Sequence, residues 1–305
     1  FTHDMPTTFS CRFFDGASPR EDSELVKRWR QAGLVFLGKT NTPEFAEDFV
    51  CEPTFRGVTL NPWNTAVTTG GSSGGAGAAV ASGMVPLAHA TDLGGSIRIP
   101  SACCGVFGLK PTTGLNPIGP NYMELSNGFN SDHVLKRSVR DSAAALDCSV
   151  GPLRGSRYQV RPRVESYLEA LYQQIPKLRI GVSRSTPYGL AVGSNQVEAV
   201  DRVSTALADM GHEIREYTYP SDLGLGSWME DLWMVDIVYE IENRIAEVGR
   251  EPEDYELEAL THFLREHVAG LSAMDLYRAR QGAHQASIKL MNSMSELDLV
   301  LTPTL

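Results

Sequence analysis

Between Gly70 and Lys110 the chain reads GGSSGGAGAAVASGMVPLAHATDLGGSIRIPSACCGVFGLK, and no other stretch restricts the fold so tightly. Two glycine-serine clusters bound it, Gly70-Gly71-Ser72-Ser73-Gly74-Gly75 and Gly94-Gly95-Ser96. Glycine opens backbone angles closed to other residues and lets a second backbone or a ligand approach closely. The Ala-rich run from Gly74 to Gly83 predicts a tightly packed helix, and Val85 to Ala90 a buried strand. A helix, a turn and a returning strand would bring the two clusters together. Backbone N–H groups converging beside a serine hydroxyl are what an oxyanion hole requires.

Three readings of the clusters compete. A phosphate-binding loop needs Lys and then Ser or Thr after its glycines, whereas Ala76-Gly77 follow Gly75. Gly70-Gly71-Ser72-Ser73-Gly74 matches the G-x-S-x-G elbow of α/β-hydrolases. That reading needs an acid and a histidine downstream, for which Asp132, His133, His212 and His262 are the candidates. In the third reading the glycines serve close helix–sheet packing and nothing more.

The rest of the chain alternates. A helix over Ser23 to Ala32, stopped by Gly33, precedes a strand over Leu34 to Leu37. Ser138 is placed to cap a helix over Val139 to Ser149. Leu178 to Ser183 predicts a strand, Gln196 to Met210 a helix ended by Gly211, and His212 to Tyr217 another strand. This order predicts an α/β fold, a mixed β-sheet core flanked by helices. Residues 227–296 read as a helical flank of three segments, Trp228 to Val248, Glu253 to Val268 and Ala273 to Met294, followed by a strand over Leu297 to Leu301.

The formal net charge of −10, with no Lys/Arg run longer than two, excludes the clustered cations that nucleic-acid backbones require. The stretch from Gly70 to Thr91 is too weakly apolar to span a membrane. Five cysteines without CxxC spacing read as reduced thiols, which fits a cytoplasmic protein.

Several motifs together resemble the amidase-signature family. They are Gly38-Lys39-Thr40-Asn41-Thr42-Pro43-Glu44-Phe45, Asn61-Pro62-Trp63-Asn64, both glycine-serine clusters, Gly108-Leu109-Lys110-Pro111-Thr112 and Leu301-Thr302-Pro303-Thr304. Glu52-Pro53, Asn61-Pro62-Trp63-Asn64 and Ala88-His89 look most like the branch that contains the nylon-oligomer amidases. The resemblance implies the amidase-signature fold over residues 1–305 and hydrolysis of amide C–N bonds. Carried over residue by residue, it makes Ser96 the nucleophile and Ser72 a bridging serine held by a cis peptide bond. It places the oxyanion hole on the backbone N–H groups of Leu93, Gly94, Gly95 and Ser96, with Asp92, Arg98 and Ser73 in support.

In the family the base is a neutral lysine of a Pro-x-x-x-Lys-Asp segment upstream of the part matching Phe1 to Ser10. Lys39 is the tempting substitute, but the pattern assigns it a structural role, and Lys110 a turn that supports the core. The expectation is therefore a fragment without the lysine segment and the C-terminal part, inactive by itself. The expected partner is a small-molecule amide, linear or cyclic, with no cofactor and no metal. Neither nucleic acid nor membrane is expected, and a homodimer stays open. Asn121 to Asn130 and the helical flank would wall the pocket, with Trp228, Trp233 and Tyr239 either lining it or in the core. The alternative is a non-catalytic amidase-like or amidotransferase subunit.

Overall fold

The computed structural model describes residues 1–233 and 235–304. In chain order its helices are α1 (Glu24–Gln31), α2 (Gly74–Ala81), α3 (Arg98–Cys104), α4 (Val139–Ser149), α5 (Tyr167–Ala170), α6 (Ser194–Asp209), α7 (Met229–Trp233), α8 (Val235–Val248), α9 (Ala259–Gly270) and α10 (Ala273–Ser293). The strands are β1 (Leu87–Asp92), β2 (Phe107–Gly108), β3 (Ser131–Lys136), β4 (Arg179–Val182), β5 (Glu213–Glu216) and β6 (Leu299–Leu301). They form two compact units, one of Phe1–Gln173 with Met234–Ala269, the other of Gln174–Trp233 with Gly270–Leu305.

The first unit is built on an antiparallel sheet in the order β1-β3-β2. Leu87 pairs with Lys136 at one end of β1–β3 and Asp92 with Ser131 at the other. Each face carries its own core. Ala88, Ala90 and Leu135 pack with Ala76 and Val80 of α2 and with Ile97. Val134 packs with Leu25 and Trp29 of α1 and Ala145 of α4, joined by Leu34, Phe36 and Leu87. Period-two alternation along β1 and β3 explains why neighbouring residues serve opposite layers.

α1 stops as expected. Gly33 adopts φ +88 directly after the helix, a conformation disfavoured for residues with a Cβ. The Ser138 hydroxyl accepts the Asp141 N–H at 3.0 Å and starts α4. Leu34 to Leu37 departs from expectation. The segment alternates in burial, with Val35 and Leu37 outward, but it belongs to no sheet among the described residues. Apolar alternation suits a strand, yet a strand also needs a neighbour for its backbone groups.

The second unit holds a parallel sheet in the order β5-β4-β6. β4, α6 and β5 form a βαβ crossover, with Gly211 at φ +91 turning the chain after α6. Asp298 receives the Arg179 guanidinium at 3.0 and 3.1 Å, tying the approach to β6 onto β4. Of the expected flank, Trp228 to Val248 is represented by α7 and α8 on either side of residue 234, which lies outside the described residues. Glu253 to Val268 divides into a short 3-10 turn over Asp254–Glu256 and then α9. No helix of the described residues is long and apolar enough to cross a membrane.

Candidate active site

The first glycine-serine cluster ends at the head of α2. The Gly71–Ser72 peptide bond is cis, as the family resemblance implies. A Cβ on Gly71 would lie 2.7–2.8 Å from backbone atoms of Asp48, Phe49 and Val50. A Cβ on Gly75 would lie 2.3 Å from the Asn41 nitrogen and 2.5 Å from its oxygen. The Gly75 N–H donates to that same oxygen at 3.1 Å. These glycines therefore admit neighbouring loop backbone rather than a helix or a sheet. Gly77 does the same for a helix contact, facing Pro100 and Cys104 of α3. Ser72 is 1% exposed and Ser73 4%.

The second cluster springs from the end of β1. Asp92 is fully buried and organises the turn that follows. Its Oδ2 accepts the N–H groups of Ile97 and Arg98 at 3.2 and 3.3 Å and the Arg98 Nε at 2.9 Å, while Oδ1 accepts Arg98 Nη2 at 2.7 Å. A bidentate pair with a desolvated carboxylate holds both partners in one orientation. The side chain of Arg98 is half exposed, and its pairing with Asp92 raises its pKa. Gly95 adopts φ +139, and its oxygen accepts the Ile99 N–H at 2.6 Å. Ser96 stands in this turn, 7% exposed.

The two loops meet. A Cβ on Gly70 would lie 2.9 Å from Ile99 Cγ2, and one on Gly95 would lie 2.6 Å from Ile99 Cδ1. One isoleucine side chain is thus in contact with both clusters. Ser73 adds a polar link, its hydroxyl lying 3.4 Å from both the N and the O of Thr91, one residue before Asp92.

The histidines that an elbow mechanism would need are engaged elsewhere. His133 is fully buried, bonded to Ser142 at 2.9 Å, and burial pushes its pKa down to about 3. Asp132 binds His89 at 2.9 Å and Asn130 at 3.0 Å. His262 meets the Asp254 carbonyl, and His212 Nδ1 accepts the Leu178 N–H in the second unit. His89 is exposed on β1 with its ring edge-on to Trp29.

Three lysines bear on the choice of a base. The Lys39 ammonium donates to Thr7 Oγ1 at 2.7 Å; desolvation lowers its pKa against the pull of Asp4 and Asp22. Lys110 donates to Ser131 Oγ at 3.1 Å and the Pro111 carbonyl at 3.2 Å. Burial lowers its pKa, opposed by Asp92 and aided by Arg98. Lys136 is fully buried with its ammonium over the Phe107 ring, and desolvation pulls its pKa down to about 7. It lies at the Leu87 end of the sheet, five positions from Ser131, or ~17 Å at strand rise.

The segment from Asn121 to Asn130 is held within the first unit. Ser126 and Asn127 adopt positive φ, the Ser126 N–H donates to the Asp236 carboxylate, and Glu124 takes Arg157 and Tyr158. Tyr239 of α8 is exposed, whereas Trp228 is buried in the second unit with its ring against Gly282. The acidic oxygens and ring nitrogen of His3, Asp4 and Asp22 come within 4.8 Å of one another. Arg30 already binds both carboxylates, at 2.8 and 2.9 Å, so this group reads as an ion-pair cluster. The cysteines are free thiols, and burial pushes Cys104 up to about 11.

Sequence reasoning missed Ser131 and Asn41. Ser131 was hidden because β3 has four polar residues among six and shows no strand alternation. Asn41 lay within a family motif, but its backbone contact with Gly75 is a tertiary fact.

The Amidase family model matches residues 1–305. The chain is 40% identical over 235 residues to the 6-aminohexanoate-cyclic-dimer hydrolase of Paenarthrobacter ureafaciens, covering 75% of this chain and 48% of that protein. A solved structure of 6-aminohexanoate cyclic dimer hydrolase complexed with substrate superposes with a TM-score of 0.93 at 31% identity, covering 98% of this chain and 64% of that one. A bacterial aryl acylamidase of the amidase-signature enzymes shares the fold, with a TM-score of 0.88 at 24% identity, covering 99% and 63%. The chain spans about half the length of the curated relatives it matches.

Proposed function

Because this chain belongs to the amidase-signature family, we propose that the protein hydrolyses small-molecule amides, linear or cyclic, through an acyl-enzyme on Ser96. The observation that carries this reading is the meeting of the two serine loops on Ile99, whose side chain lies beside Gly70 of one cluster and Gly95 of the other. Ser96 Oγ attacks the amide carbonyl, and its proton passes through Ser72 to the base. The developing oxyanion is received by the N–H groups of Leu93, Gly94, Gly95 and Ser96. The amine leaves with a proton returned from the base, and water then cleaves the ester, restoring Ser96.

The base in this reading is a neutral lysine not among residues 1–305. Lys39 is engaged with Thr7, Lys110 with Ser131 and Pro111, and Lys136 lies toward the opposite end of the sheet. Asp92 and Arg98 brace the turn, and Ser73 ties it to the head of α2.

A fluorophosphonate probe tests the assignment in the full-length gene product. The expected adduct is on Ser96, and Ser96→Ala abolishes both labelling and amide hydrolysis. The 305-residue chain alone is expected to label far more slowly. An adduct on another serine, or hydrolysis that survives Ser96→Ala, removes the reading. An intact fold with neither labelling nor hydrolysis in the full-length protein would point to the non-catalytic alternative.

A further inference from the structure

Lys110 ends the segment that leads out of β2, and its ammonium reaches across to Ser131, the buried first residue of β3. Ser131 is the register partner of Asp92, the last residue of β1. Directly opposed residues of an antiparallel pair project their side chains on the same face with Cβ atoms about 5 Å apart. The end of the sheet from which residues 93–96 depart is thus held from two sides. Arg98 grips Asp92 from the turn itself, and Lys110 grips Ser131 from the neighbouring segment.

The two cations differ in what they bind. Arg98 is matched by a carboxylate at 2.7 Å. The partners of Lys110 are neutral, a hydroxyl at 3.1 Å and the Pro111 carbonyl at 3.2 Å, with Thr113 Oγ1 3.5 Å from the same Ser131 hydroxyl. Lys110 nevertheless feels Asp92 and Arg98. One carboxylate and two cations leave an excess of one positive charge beside the turn. Negative charge develops there when a carbonyl oxygen becomes tetrahedral, and a fixed charge in a poorly solvated site acts on it strongly.

We propose that Lys110 is a positioning residue of the hydrolytic site, clamping the Asp92–Ser131 end of the sheet and supplying the uncompensated positive charge that favours the oxyanion over the ground-state amide. The proposal rests on the hydrolase reading above. Because the excess charge matters in the transition state more than in the substrate complex, its loss falls on kcat.

The test uses the full-length gene product with Lys110→Met, Lys110→Arg and Ser131→Ala, each assayed on a simple amide and by the rate of fluorophosphonate labelling. Lys110→Met is expected to lower kcat by about 10-fold to 100-fold, less than loss of a direct oxyanion donor. KM should stay within ~3-fold and labelling should slow in parallel. Lys110→Arg, which keeps the charge, is expected to recover most of the rate, and Ser131→Ala to fall between Lys110→Met and the parent. The proposal is overturned if Lys110→Met leaves kcat within ~3-fold of the parent. It is equally overturned if Lys110→Arg is as impaired as Lys110→Met while thermal midpoint and activity fall together, the behaviour of a purely structural lysine. A parent enzyme that neither hydrolyses amides nor labels would instead overturn the hydrolase reading, and this proposal with it.

Discussion

At the scale of single residues, the glycines of the first serine loop act through what they leave out. Gly75 lies against the backbone of Asn41, and Gly71 against that of Asp48 to Val50, at distances no side chain could share. A methyl group there must push backbone, which costs about 1–3 kcal/mol or more. Gly75→Ala is therefore expected to lower the urea midpoint of this chain markedly or to prevent folding. Gly38→Ala is the control. A Cβ at Gly38 meets nothing within 4 Å and the residue does not need positive φ, so its change should stay within ~0.5 kcal/mol. Equal effects at the two positions would mean that backbone approach is not what the cluster glycines provide.

At the scale of elements, local chemistry starts and stops the helices that frame the site. α4 packs Ala145 against Val134 of β3, and its first turn depends on the Ser138 hydroxyl. Ser138→Ala should cost about 1 kcal/mol, while Ser138→Asp or Ser138→Asn should retain most of that. Equilibrium denaturation reads the difference, and an unchanged midpoint in Ser138→Ala would show that tertiary packing alone holds the helix end. Leu34 to Leu37 is the opposite case. There the apolar alternation is present, but no strand lies alongside among the described residues, so no ladder forms. A helix closes its own hydrogen bonds, and a strand cannot.

At the scale of the whole molecule, the central strand carries an electrostatic burden. Lys136 is fully buried, and desolvation brings its folded pKa from 10.5 to about 7. Between those values the unfolded chain binds the proton and the folded chain does not. Stability from this group is therefore complete above pH ~10.5 and is lost as pH falls toward 7. Lys136→Met keeps the volume and removes the buried ammonium, at the loss of its bond to the Val134 carbonyl and its contact with Phe107. It is expected to raise stability near pH 7 by on the order of 2–4 kcal/mol and to flatten the rise between pH 7 and 10. A variant less stable than the parent at pH 7, or one with the same alkaline rise, would show that the lysine is better accommodated than its burial implies.

Much of this protein follows from local rules that need no knowledge of the rest of the chain. Gly33 ends α1 and Gly211 ends α6 because positive φ is open to glycine, and Ser138 starts α4 because a hydroxyl can take an orphan N–H. The two glycine-serine clusters could be picked out for the same reason, as a rare residue pattern is visible wherever it folds. β3 could not, because SDHVLK shows no alternation and owes its place to layers on both faces. The contact of Gly70 and Gly95 with one isoleucine, the engagement of His133 with Ser142, and the reach of Lys110 to Ser131 were decided by tertiary structure alone. Each joins residues whose proximity depends on how whole elements pack, and packing is settled by the shapes and burial of many side chains at once rather than by any short run of sequence.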